Sequence, residues 1–178
     1  MRARQPHQTR RLRPPLDEAV LKELGLTYVA RFATSRAKLA DYLRRKLRER
    51  GWAGSADPPV AAIVDWAAEA GFIDDPAYAL SRARALGARG YGERRVAMAL
   101  RAAGIDEDDG AAARDHAREI ADEAALRFAR RKRIGPYATT PPDRRESDKA
   151  LAAMMRAGHA FDLAKRILLL PADFDSET

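Results

Sequence analysis

The chain has 178 residues, 46% of them hydrophobic, 33% charged and 7% aromatic; the length fits one or two ordinary domains, and an apolar share led by Ala and Leu belongs to helices rather than to a β-sandwich. Thirty-three Lys and Arg against 26 Asp and Glu give a formal charge of +7, which draws a protein to polyanions or to acidic protein surfaces. The absence of cysteine excludes thiol nucleophiles, Cys-bound zinc, iron–sulfur clusters and disulfides. No apolar run approaches the roughly 18 residues of a membrane span, and Met1 to His7 lead into no hydrophobic signal core. The expectation is a cytoplasmic monomer without membrane contact.

The positive charge is uneven, since residues 1–50 hold 14 basic and 5 acidic side chains. Arg2, Arg4, Arg10, Arg11 and Arg13 stand among almost nothing apolar, so residues 1–16 are expected to form a disordered basic tail. At the other end, Asp173, Asp175 and Glu177 make residues 171–178 an acidic tail.

Between the tails apolar residues recur every three to four positions, and an all-α protein is predicted. A first helix covers about 17–33, and Thr34 or Ser35 caps a second with the ridge Leu39, Leu43 and Leu47, ended by Gly51. Asp57 with Pro58 and Pro59 starts a third, carrying Val60, Ile63, Val64 and Ala67 up to Gly71. Asp75-Pro76 opens a fourth that ends near Gly87 to Gly90. Gly92 opens a flexible start to a fifth with Val96 and Leu100, stopped by Gly104, and Asp106 begins a sixth that passes Ile120 or breaks there. A helix with Leu126, Phe128 and Ala129 precedes a loop marked by Pro136, Pro141 and Pro142; helices over about 143–157 and around Leu163, Ile167 and Leu170 follow.

The stop glycines Gly51, Gly104 and Gly158 are 53 and 54 residues apart. Four residues before them stand Leu47, Leu100 and Met154, and eight before stand Leu43, Val96 and Ala150. An anchor follows each glycine: Trp52, Ile105 and, displaced in the third copy, Phe161. This predicts three tandem three-helix repeats, over 17–74, 75–120 and 121–170, stacked into an elongated, curved helical array.

Catalytic readings are weak. His7, His116 and His159 have no second ligand at helical spacing, and Asp106 to Asp109 cannot form a calcium loop because its first and twelfth positions would be Ile105 and His116. Gly90-Tyr91-Gly92 lacks the third glycine and the preceding strand of a dinucleotide site, and Asp74 or Asp75 reads as a helix cap. No nucleophile–base pair, metal site or cofactor site is expected.

The informative constellation is basic. Lys38, Arg44, Arg45 and Arg48 line the second helix opposite its leucines, relieved by Asp41 and Glu49. Six arginines and one glutamate lie between Arg82 and Arg101, including Arg84, Arg89, Arg94 and Arg95, and Arg130 and Arg131 belong to a third cluster. The bland alternative is a solvated surface; recurrence of the strip on successive repeats favours an anionic track instead. Arginine dominates lysine, which suits bidentate contacts to phosphate or carboxylate. Tyr42, Tyr91 and Phe128 beside the strips serve either base stacking or the core.

These residues carry a resemblance. Tyr28 to Phe32 with Leu39 to Leu47, the Gly71-Phe72-Ile73-Asp74-Asp75 junction, Arg89 to Val96 with Leu100, Gly104 and Ile105, and Met155 to Gly158 resemble the bacterial recombination-regulator family RecX over about residues 20–170. The resemblance implies a protein without enzymatic activity that binds in the groove of RecA filaments on single-stranded DNA and curbs RecA's ATPase and strand exchange. It implies a structural role for the 71–75 junction and a partner- or DNA-facing role for Arg89 to Arg95. The alternative is a general DNA-binding module without a filament partner, against which the third helix's Asp65 and Glu69 count.

Overall fold

The computed structural model describes residues 14–171, so the basic residues before Pro14 (His7 among them) and the acidic residues after Pro171 lie outside the described part. The described residues form nine α-helices: α1 (Glu18–Arg31), α2 (Arg36–Arg50), α3 (Val60–Glu69), α4 (Asp75–Ala88), α5 (Glu93–Ala102), α6 (Ala111–Glu119), α7 (Ala121–Lys132), α8 (Arg144–Arg156) and α9 (Phe161–Leu168). A 3-10 turn, Gly135–Tyr137, follows α7. The all-α expectation holds, and among the described residues no helix is long and apolar enough to cross a membrane. The chain divides into two compact units between Ile73 and Asp74.

Unit 1 contains α1, α2 and α3 around Leu21, Leu39, Leu43, Ile63, Val64 and Ala67. Leu16 belongs to this core and is fully buried, although two prolines precede it and two acids follow it. It is held by an isolated bridge to Trp52: its N–H donates to Gly51 O at 3.0 Å and its carbonyl accepts from Ala53 N–H at 2.9 Å. The Arg50 guanidinium adds two bonds to Pro14 O, at 2.9 and 3.0 Å. Ser35, rather than Thr34, caps α2 by accepting from Lys38 N–H at 3.3 Å. Asp57 is not the cap of α3. Pro59 occupies that position and no side chain bonds the first turn.

Unit 2 contains the remaining six helices. Asp74 caps α4, accepting from Ala77 N–H at 2.8 Å, with Pro76 in the first turn. α4 packs on α6 through Ala79, Ala83, Ala113 and Ala117, small side chains that let two helices approach closely. The sixth helix starts at Ala111 and not at Asp106: the Asp106 carboxylate accepts from Asp109 N–H at 2.8 Å, and the four acids form a turn ahead of the helix. That helix breaks at Ile120, where α7 takes over. Asp143 and Glu146 cap α8 reciprocally, at 2.7 and 3.0 Å.

The three stop glycines all have positive φ, 81° at Gly51, 67° at Gly104 and 98° at Gly158, so each ends its helix in the region that a Cβ disfavours. The third anchor is not Phe161, which is 45% exposed; it is His159, directly after its glycine like Trp52 and Ile105, and 2% exposed. Periodicity misses it because histidine reads as polar. Its Nε2–H donates to Gly90 O at 3.1 Å, its ring meets Phe128 edge-on at 5.6 Å, and Nδ1 is buried without a hydrogen-bond partner among the described residues. The ring therefore fills an apolar position as a neutral tautomer.

The segment Gly90-Tyr91-Gly92 meets Gly158-His159 backbone to backbone. Gly92 N–H donates to Ala157 O at 3.0 Å and Arg94 N–H to Gly158 O at 3.1 Å. A Cβ on Gly92 would sit 2.5 Å from Gly158 O, so the glycine is required by close packing and not, as the sequence suggested, by a flexible helix start. Gly158→Ala would add a positive-φ strain to a clash with Arg95, and is expected to cost about 2–4 kcal/mol. Gly71, at φ 78° but with open space around its Cα, is the control: Gly71→Ala is expected to cost about 1 kcal/mol. Urea denaturation of the full chain measures both.

Candidate functional site

The twelve basic residues singled out by the sequence are exposed, except Lys38, which is half-buried. On α2 the cations are largely compensated. Arg44 pairs with Asp41 at 3.3 Å, and Glu49 serves both Arg45, at 3.9 Å, and Lys46, at 2.7 Å. Arg48 has no ion pair among the described residues. Tyr42 stacks on Tyr28 with centroids 4.3 Å apart, and the Arg45 guanidinium lies 5.6 Å from its centre. Tyr42 thus belongs to the aromatic packing of unit 1.

Unit 2 arranges its cations differently. Arg82 and Arg84 are two positions apart on α4, about 200° around the helix, and so point to opposite sides. Arg94 and Arg101 share one face of α5. The gathering point is Tyr91, a half-buried ring at the α4–α5 corner. Arg89 and Arg95 approach it to 5.6 and 5.7 Å, and Arg131, arriving from α7, to 5.7 Å. Each guanidinium is within cation–π range of the same ring. Arg130, one position before Arg131, turns instead to Tyr137, at 5.1 Å. Phe128 is buried beneath Arg131, a core residue rather than a stacking platform.

The corner is held by side-chain capping of a helix end. Arg127 and Arg131, one turn apart on α7, donate to the carbonyls of Gly87 and Arg89 at the C-terminus of α4, the first at 2.8 Å. Guanidinium groups there complement the negative end of the helix dipole. Arginine enrichment in this chain therefore has a partly internal cause: Arg50 grips Pro14 O in unit 1, and Arg114 bridges the carbonyls of Asp106 and Glu107 at 3.1 and 2.7 Å. The sequence offered only external anions as an explanation.

Among the described residues, Arg82, Arg84, Arg89, Arg94, Arg95, Arg101 and Arg131 have no carboxylate within ion-pair distance. Three cations converging on one ring without a counter-ion form a local positive field suited to an anionic partner. No group of His, Asp or Glu that could hold a metal occurs among the described residues.

His159 sits directly behind this corner. Burial pushes its pKa below the ordinary histidine value, against a smaller upward pull from the bond to Gly90. The unfolded chain takes up a proton near pH ~6.5 while the folded chain resists it, so stability is full above that pH and falls as the pH drops through it. The urea midpoint is expected to be flat from pH 8 to 7 and to decline towards pH 5.5; His159→Leu is expected to flatten that decline.

Residues 74–113 match the family model described as RecX, second three-helix domain. The chain is 34% identical over 173 residues to regulatory protein RecX of Myxococcus xanthus (strain DK1622), covering 93% of this chain and 90% of the relative. It is 30% identical over 148 residues to regulatory protein RecX of Thermobifida fusca (strain YX), covering 83% and 76%. The fold is similar to the crystal structure of RecX from Lactobacillus salivarius, with a TM-score of 0.66 at 18% identity over 84% of this chain and 93% of that one. A second crystal structure of regulatory protein RecX gives 0.64 at 23% identity over 84% and 70%. Sequence identity sustained over nine-tenths of both chains, on a shared all-helical fold, establishes that this protein belongs to the RecX family of regulatory proteins.

Proposed function

We propose that the protein is a non-catalytic regulator that binds RecA filaments on single-stranded DNA and restrains their ATPase and strand exchange, acting as a cytoplasmic monomer. Family membership supports the regulatory part. The observation that carries the rest is the cationic corner: Arg89, Arg95 and Arg131 around Tyr91, without a carboxylate among the described residues to neutralise them. A nucleoprotein filament offers phosphates and acidic side chains at fixed spacing, and uncompensated guanidinium groups recognise either. Arg94 and Arg101 extend the same contact along α5, while Arg82, Arg84 and Arg130 are secondary. The α2 set of Lys38, Arg44, Arg45 and Arg48 contributes less, because Asp41 and Glu49 already satisfy much of its charge. Contacts from both units to successive protomers would add avidity.

The alternative is a DNA-binding module indifferent to the filament. Its natural recognition helix, α3, exposes Asp65 and Glu69, and Asp65 is tied to Arg36 at 3.0 Å, a poor surface for a groove. Fluorescence anisotropy separates the two. Affinity for a RecA filament on single-stranded DNA is expected to exceed that for the naked strand at equal salt; equal affinities favour the plain DNA binder. Arg89→Glu with Arg95→Glu is expected to weaken filament binding by about tenfold or more with an unchanged melting curve. The triple reversal Arg44→Glu, Arg45→Glu, Arg48→Glu is expected to have the smaller effect, and the opposite ranking would place the contact on α2.

A further inference from the structure

α7 ends on an arginine where glycine is the usual residue. Arg133 has φ 54° and ψ 49°, the one positive-φ residue other than glycine among those described. A Cβ in that region costs about 1–2 kcal/mol, and the local duty of the position is to donate its N–H to the carbonyls of Ala129 and Arg130. Glycine performs that duty without strain. The arginine side chain therefore calls for a reason beyond the helix end.

It stands on the wall of a half-open surface pocket of about 530 Å³, formed by the end of α7, the 3-10 turn and its following loop, α8 and the last residue of α9. Lys132, Arg133 and Lys149 bring three positive charges to it, and Thr139, Thr140 and Ser147 bring hydroxyls. Its apolar side is formed by Ile134, Ala153 and Leu168. The one acid on the wall, Glu146, is held in the α8 cap, where its carboxylate accepts from Asp143 N–H at 3.0 Å, and its single negative charge leaves the wall with a net positive charge. None of the three cations has an ion-pair partner among the described residues. The dipole of α7 accounts for Lys132 in its last turn, but not for Lys149, which comes from another helix, nor for strain at Arg133.

We propose that this cavity binds a nucleoside phosphate. The cations and hydroxyls hold the phosphate, as charge-assisted hydrogen bonds, and the apolar side receives the base. The volume falls within the roughly 300–1,000 Å³ of small-molecule sites. A free nucleotide and the 5′-phosphorylated end of a strand present the same chemistry. The site is separate from the corner at Tyr91 and does not rest on the filament reading.

Isothermal titration of the full chain with ATP at low salt is expected to show saturable one-to-one binding. Arg133→Gly keeps the backbone geometry and removes the guanidinium, so it is expected to melt at or above the parent temperature while binding ATP about tenfold more weakly. Ala153→Leu fills the apolar side without altering charge and is expected to weaken binding by a similar factor. Competition with a 5′-phosphorylated oligonucleotide identifies the source: displacement of ATP assigns the site to strand ends, and no displacement assigns it to free nucleotides. Absence of saturable ATP binding, unchanged affinity in both variants, or displacement by inorganic phosphate as effective as by ATP itself would overturn the proposal.

Discussion

Unit 2 depends on a backbone-to-backbone approach. The chain at Gly92 donates to Ala157 O, and Arg94 N–H returns to Gly158 O, across a gap too narrow for a Cβ on either side. Two helical hairpins that meet through side chains can slide by a turn; two that meet through main-chain hydrogen bonds have one register. That register places α7 beside the end of α4, which is where Arg127 and Arg131 find carbonyls to cap. It also fixes Tyr91 between guanidinium groups from different helices. His159 closes the joint from below, kept neutral by burial, with no partner for its second nitrogen among the described residues.

The cationic corner is thus a by-product of helix packing as much as of composition. Arg131 is held by Arg89 O and by the rings of Tyr91 and Phe128, so little rotamer entropy remains to be lost on binding an anion. Arg48, on α2, has no such restraint among the described residues, and an exposed arginine without one gives a weaker contact for the same charge. Charge count alone does not separate α2 from the segment Arg82 to Arg101; restraint and compensation favour the corner.

Helix positions were legible because glycine and proline punctuate this chain and because the apolar period of three to four is sustained. The features that escaped share a cause: each depends on what a residue meets across space. His159 looks polar until Phe128 and Gly90 enclose it. Asp106 looks like a helix start until its carboxylate turns to Asp109 N–H. Leu16 looks like the edge of a tail until Trp52 and Gly51 pair with its backbone. The split of the cations into neutralised and uncompensated sets is of the same kind, since i,i+3 and i,i+4 acids are visible in sequence but distant carbonyl acceptors are not.

The abundance of arginine over lysine shows how one bias can serve two ends. Arg50, Arg114, Arg127 and Arg131 each bind main-chain carbonyls, and Arg50 and Arg114 each do so through two donors, a geometry that a lysine ammonium does not reproduce. The Arg127 and Arg131 bonds reinforce the C-terminal end of α4, while those of Arg50 and Arg114 tie down Pro14 and the turn ahead of α6. An arginine recruited for this purpose keeps its charge and leaves donors of its fork facing solvent. In a chain built from many short helices, holding the helix ends and presenting positive charge at their corners become the same act, so a surface that recognises an anionic polymer can arise where the fold needs its termini secured.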